Sequence, residues 1–153
     1  MKIHVVAVGK MRSAPLREVC VDYLGRLKRY GPAEVLEVKA AETGDVARRT
    51  SDETKRVLEE LEPGDHVVAL DERGKQLSSV ELAELLKTLE LRAIRRVAFV
   101  IGGAYGLGDE VRKKGSMISL SKLTLPHELC RAVVLEQLYR ARTIQKGEPY
   151  HHA

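Results

Sequence analysis

The sequence predicts an α/β fold built on a mainly parallel sheet. Short β-branched runs recur along the chain, and segments with apolar residues at three- and four-residue steps stand between them. No internal repeat, low-complexity tract or linker interrupts the pattern, so residues 1–153 read as a single domain long enough for a full core.

The elements follow in order. Ile3 to Val8 is a β-branched run closed by Gly9 and reads as a buried strand. Ala14 to Tyr30 is a helix, with Leu16, Val19, Cys20, Tyr23, Leu24 and Leu27 on its apolar face and Gly31-Pro32 as its stop. Glu34 to Val38 is a second, alternating strand. Ala40 to Asp52 is polar and reads as loop, before a helix from about Glu53 to Leu61 that ends at Pro63-Gly64. His66 to Leu70 is the third strand and Asp71-Glu72-Arg73-Gly74 a turn. Ser78 or Ser79 then caps a helix through Leu91, with Glu81 placed to complete a capping box.

Val97 to Ile101 is the fourth strand and runs into a loop from Gly102 to Gly108 that holds four glycines. A short helix near Asp109 to Lys114 leads to a fifth strand, Met117 to Leu120. The final helix spans about Pro126 to Gln145. Pro126 suits its start, since its fixed φ and missing N–H are tolerated in a first helical turn. The first half of this helix is apolar almost all round, which predicts burial by the core and by a second subunit.

Composition narrows the function classes. Charged residues make up 31% and hydrophobic residues 44%, a globular balance. No segment approaches membrane-spanning length, and the start of the chain lacks the pattern of a secretory signal, so a cytoplasmic location is expected. Cys20 and Cys130 stand among apolar neighbours without any CxxC or His/Cys cluster. They read as free thiols in a reducing compartment, with no metal site. The net charge of +4 is uneven: Met1 to Gly31 carries seven Lys/Arg against two acids, a balance suited either to a polyanion such as RNA or to a solvated helix face.

In open α/β sheets ligands bind beyond the carboxyl ends of strands. Three such ends stand out: Leu70 to Gly74, Ile101 to Gly108, and Leu120 to His127. The glycine loop is neither GxGxxG nor GxxxxGK[ST], so neither the dinucleotide nor the P-loop mechanism applies. Its glycines allow either close approach to a ligand or a tight turn. Arg131 and Arg140 lie in the apolar helix pattern and need partners, as members of ion pairs or as anion ligands.

Taken together, KIHVVAVGK at the start, LDERGK at Leu70, FVIGGAYGL at Phe99, SLSKLTLPHEL at Ser119, EQLYRA at Glu136 and GEPYHHA at the end resemble the ribosomal RNA large-subunit methyltransferase H family of the SPOUT superfamily. The resemblance covers essentially the whole chain in order. It implies a SPOUT-type α/β knot, a C-terminal trefoil knot whose crossing is the cofactor pocket. It also implies a homodimer that uses S-adenosylmethionine, without metal, to methylate N3 of a pseudouridine in 23S rRNA.

Carried over by position, cofactor contacts fall on Leu70, Gly102, Gly103, Ser121, Lys122, Leu123, Thr124, Leu125 and Pro126. Most would act through the backbone, with apolar walls for adenine. An imide N3 must lose or share its proton during transfer, so a base or charge stabiliser is needed beside it. His151 and Tyr150 of the tail and Arg131 are the candidates. The family's next basic residue appears here as His152, which leaves open how much positive charge the tail brings to RNA. Two competing functions are a non-catalytic ribosome- or RNA-binding factor, opposed by the intact Gly102-Gly103 and Ser121 to Pro126 segments, and a nucleotide-dependent reductase, opposed by the missing dinucleotide fingerprint.

Overall fold

A computed structural model describes residues 1–152. Five parallel strands form one sheet: β1 (Lys2–Val8), β2 (Ala33–Val38), β3 (His66–Gln76), β4 (Arg96–Ile101) and β5 (Gly115–Ser119). Their spatial order is β2-β1-β4-β3-β5. The chain therefore starts near the middle, steps out to β2, crosses to β3, returns to β4 and crosses again to β5. The carboxyl ends of β3, β4 and β5 are thereby gathered side by side.

Alternation along each strand feeds two cores. Ile3, Val5, Ala7, Phe99 and Ile101 face one side and pack with α1 (Ala14–Leu27), α3 (Ser79–Leu91) and α5 (His127–Lys146). Val6, Val8 and Val100 face the other side, with Val57 of α2 (Val46–Glu59) and Val111 of α4 (Asp109–Arg112). Ser78 caps α3 through the expected capping box with Glu81. Pro126 stands at the cap of α5, and Gly147 closes that helix in the left-handed region at φ 67°.

Two elements differ from the sequence expectation. The segment read as loop from Ala40 to Asp52 contains the start of α2, where the Asp45 side chain accepts from the Arg48 N–H at 2.8 Å. The first turn and a half of α2 is largely exposed, so no apolar period marks it in the sequence. The residues read as a turn, Asp71 to Gly74, instead continue β3 beside β5, with a register shift between Leu70 and Lys75. Gly74 serves close approach there, since a Cβ would lie 2.6 Å from the Ile118 backbone.

At the amino ends of the strands, Arg96 is buried in a polar knot. Its Nε donates to Asp65 at 2.7 Å and its Nη2 to the other Asp65 oxygen. It also donates to Glu62 at 3.1 Å and to the Glu60 carbonyl at 3.1 Å. Arg96→Ala would leave the Asp65 carboxylate buried without its cation, and the expected loss is about 3 kcal/mol of stability in a denaturant titration.

The same region predicts a pH dependence. His4 and His66 both titrate below the ordinary 6.5, chiefly because burial disfavours the charged ring, with Arg96 and Arg92 respectively adding repulsion. Each therefore contributes stability that is fully present above pH 6.5 and is lost as pH falls through its depressed value. The melting temperature should drop between pH 7 and pH 5, and a His4→Gln, His66→Gln double variant should flatten that slope. Among the described residues no helix is long and apolar enough to cross a membrane.

Candidate active site

The irregular stretch of β3 that follows Leu70 and the carboxyl ends of β4 and β5 meet in one cleft. A space of about 860 Å³ is walled by Leu70 to Arg73, Gly103 to Gly106, Arg112, Ser119 to Leu125 and Cys130. It adjoins a second space of about 440 Å³ that adds Ile101, Gly102, Pro126 and His127. Leu70, Gly102, Gly103, Ser121, Lys122, Leu123, Thr124, Leu125 and Pro126, the residues expected to contact a cofactor, all line one or both spaces. Either space is large enough for a nucleoside-sized ligand.

The walls are largely backbone. The glycine loop is a tight turn as well as a wall: Gly106 donates to the Gly103 carbonyl at 3.1 Å, and Gly106 has φ 81°. A Cβ on Gly102 would lie 2.8 Å from the carbonyl carbon of Gly106. A Cβ on Gly103 would point away from the cleft, to 2.9 Å from Glu53 and 3.2 Å from Val8. Glycine is thus required at 102 by the close turn of the loop on itself and at 103 by packing behind the loop.

On the opposite wall, the Ser121 hydroxyl accepts from the Leu123 N–H at 2.9 Å, and the Ser119 hydroxyl donates to the Ser121 carbonyl at 3.0 Å. These local bonds fold the segment between β5 and α5 without helix or strand, and leave Leu123 76% exposed at the lip. Cys130 lines the floor as a thiol, its pKa pushed up to about 11 by burial. Charge sits at the mouth. Arg73 and Arg112 flank Asp71 and hold its carboxyl at about 2, so these ion pairs persist to well below neutral pH.

The other candidates lie elsewhere. Arg131 is 3% exposed, ion-paired to Glu37 at 2.5 Å and bonded to the Gly9 carbonyl at 3.0 Å. Together with Glu128, which accepts from the Arg12 and Ser13 N–H groups, it ties α5 to the carboxyl end of β1.

The tail folds back along α5. The Tyr150 hydroxyl donates to Glu136 at 2.9 Å, its ring meets Tyr139 edge-on at 4.6 Å, and Arg140 lies over its face at 4.7 Å. Burial and the Glu136 carboxylate push the phenol pKa up, so Tyr150 stays a neutral donor. Arg140 binds Glu136 and also reaches Nδ1 of His151 at 3.2 Å. A guanidinium can only donate, so Nδ1 accepts and the ring proton sits on Nε2.

Glu136, which the sequence does not single out, binds both Arg140 and Tyr150, and of the two roles open to Arg140 the structure shows the ion pair. Their four-residue spacing within EQLYRA was the available signal. Glu136 lies six residues beyond Cys130, about 9 Å farther along the helix. The tail cluster and the cleft of one chain are therefore separate constellations.

Comparison with known proteins agrees with this architecture. A family described as predicted SPOUT methyltransferase matches residues 1–151. Proteins named ribosomal RNA large subunit methyltransferase H are similar over nearly their whole length. That of Gloeobacter violaceus is 44% identical with 99% of each chain covered, and that of Solidesulfovibrio magneticus is 46% identical with 98% of each covered. A crystal structure of a probable methyltransferase from Bordetella pertussis shares the fold at TM-score 0.54 and 19% identity, covering 91% of this chain and 93% of that one. A full-length family match, relatives of this identity, and a cleft built from the three strand ends lead to one conclusion: the chain belongs to the SPOUT methyltransferase family.

Proposed function

We propose that the protein methylates N3 of a pseudouridine in 23S ribosomal RNA, with S-adenosylmethionine as methyl donor, acting in the cytoplasm as a homodimer. The observation that carries this is the cleft between the irregular stretch of β3 and the carboxyl ends of β4 and β5, lined by two loops and by apolar walls from Leu70 and Leu125. The names of the full-length relatives supply the class of RNA.

Residues present suit the cofactor. Peptide N–H and C=O groups offer hydrogen bonds to an adenine edge, the leucines cover its faces, and the ions at the mouth can answer a zwitterionic amino-acid end. When bound, the cofactor supplies an already activated methyl group, so the chain's main task is alignment. The knotted crossing implied by the family would make these loops hold each other in place.

The acceptor's chemistry is assigned to the tail cluster. Arg140 holds Nδ1 of His151, which leaves Nε2–H free to donate to a uracil oxygen on which negative charge builds as N3 gives its proton to solvent. Glu136 holds both Arg140 and Tyr150 in register. Since cleft and cluster are separate in one chain, a second copy is needed to unite them.

The surface of α5 supports such a pairing. Leu129, Val133, Glu136 and Arg140 fall on one outward stripe of the helix, with Leu129 37% exposed and Val133 half-buried. Two such stripes packed antiparallel about a two-fold axis set the apolar half of each, beside its cleft, against the tail cluster of the other. The deciding experiment is methyl transfer to ribosomes lacking the modification, compared with free rRNA, followed by mapping of the methylated base. Transfer to any position other than a large-subunit pseudouridine would overturn the assignment.

A further inference from the structure

Behind the glycine loop stands a carboxylate that the proposed chemistry does not use. Glu53 of α2 is 6% exposed, and its Oε2 accepts from the Ala41 N–H at 2.9 Å. Its Oε1 is buried and has no hydrogen-bond partner among the described residues. That free oxygen is aimed at the loop: a Cβ on Gly103 would lie 2.9 Å from it. The next residue, Thr54, is also buried, and its hydroxyl accepts from the Gly108 N–H at 3.0 Å. A Cβ on Gly108 would lie 2.6 Å from that hydroxyl. Consecutive residues of α2 thus press on both ends of the loop, and glycine at 103 and 108 makes room for them.

The two contacts differ in kind. Thr54 is satisfied and anchors the loop's far end. Glu53 keeps an acceptor in reserve at the end that faces the cleft, although a buried acceptor without a donor is costly to the folded chain. Gly103, against which it lies, does not require a charge. A stability role alone is met by Oε2, which fastens the segment before α2.

We infer that Glu53 is a positioning residue for the cofactor loop: Oε1 accepts a peptide N–H of the Gly102 to Ala104 segment when the cleft is filled, fixing the loop in its ligand-bound arrangement. This rests on the reading of the cleft as the S-adenosylmethionine site. It also couples α2 and the segment before it to the cofactor, since Glu53 would then hold Ala41 with one oxygen and the loop with the other.

Glu53→Gln separates the two oxygens. Its amide carbonyl can keep the Ala41 bond, while its NH2 replaces the reserved acceptor by a donor. Titration calorimetry with S-adenosylmethionine, thermal melts of the free protein and amide exchange across Gly102 to Gly108 are measured on the full chain. Expected are a melting temperature equal to or above that of the unmodified protein, an affinity about tenfold weaker, the worth of one charge-assisted hydrogen bond, and less ligand-induced protection of the loop.

Unchanged affinity with a lowered melting temperature would overturn the inference and leave Glu53 a structural anchor. Gly103→Ala provides a second arm in case Glu53→Gln folds poorly. The alanine should cost markedly less stability in a Glu53→Ala background than alone, because the crowded partner is gone; equal costs would remove the contact from the account. If the unmodified protein itself fails to bind S-adenosylmethionine, the reading of the cleft fails. If it binds and Glu53→Gln binds equally well, only the positioning role does.

Discussion

His151→Ala should slow methyl transfer by about two orders of magnitude and leave S-adenosylmethionine affinity essentially unchanged. The separation follows from geometry. His151 sits with Arg140, Tyr150 and Glu136, away from the cleft of its own chain. Single-turnover rates on modification-free ribosomes and calorimetry with the cofactor measure the two effects. His151→Gln discriminates between roles. If the ring acts through Nε2–H, a glutamine that can still donate retains more activity than alanine does. If the ring removes the N3 proton, both variants are equally slow. A normal rate in the alanine variant would take His151 out of the mechanism.

The second large effect is expected at the cleft itself. Thr124 lines both spaces and is exposed, so Thr124→Trp fills ligand volume without disturbing the core. Cofactor affinity should fall by about 100-fold or more, since the indole occupies volume in both spaces, and the melting temperature should stay within about 2 °C because surface substitutions cost little. Gly103 is a poorer place for this test. A side chain there is driven into Glu53 and Val8, and a loss of binding would be confounded with a loss of packing. Normal binding by Thr124→Trp would place the cofactor elsewhere on the protein.

Much of the architecture was legible because the strands are β-branched runs with glycine or proline punctuation. Ile3 to Val8 and Val97 to Ile101 announce buried strands, and the Ser78 and Glu81 pair announces a helix start. The start of α2 was illegible for the opposite reason. Its first turns face solvent and obey only a local cap at Asp45, which composition does not reveal. Residues 71 to 74 carry turn chemistry yet lie in a strand, because Gly74 is used for approach to Ile118 and not for a bend.

The cleft was legible from three strand ends, since the sheet's parallel order brings such ends together wherever they stand in the sequence. The tail cluster was half legible. Tyr150 and His151 are named by their motif, but Glu136 and Arg140 meet them through a fold-back of the tail that no local pattern specifies. Glu53 carried no signal at all: in sequence it is one acid among many in a polar helix, and only its burial against Gly103 sets it apart.

The outward stripe of α5 has a kinetic consequence. If Leu129 and Val133 hold two chains together while Glu136 and Arg140 complete the neighbour's reaction centre, assembly and competence are the same event. Specific activity then depends on enzyme concentration: dilution below the dimer's dissociation constant silences both centres at once, with a second-order recovery on reconcentration. A cell holding few copies of such a protein would set its output less by the rate of each centre than by how often two chains find each other.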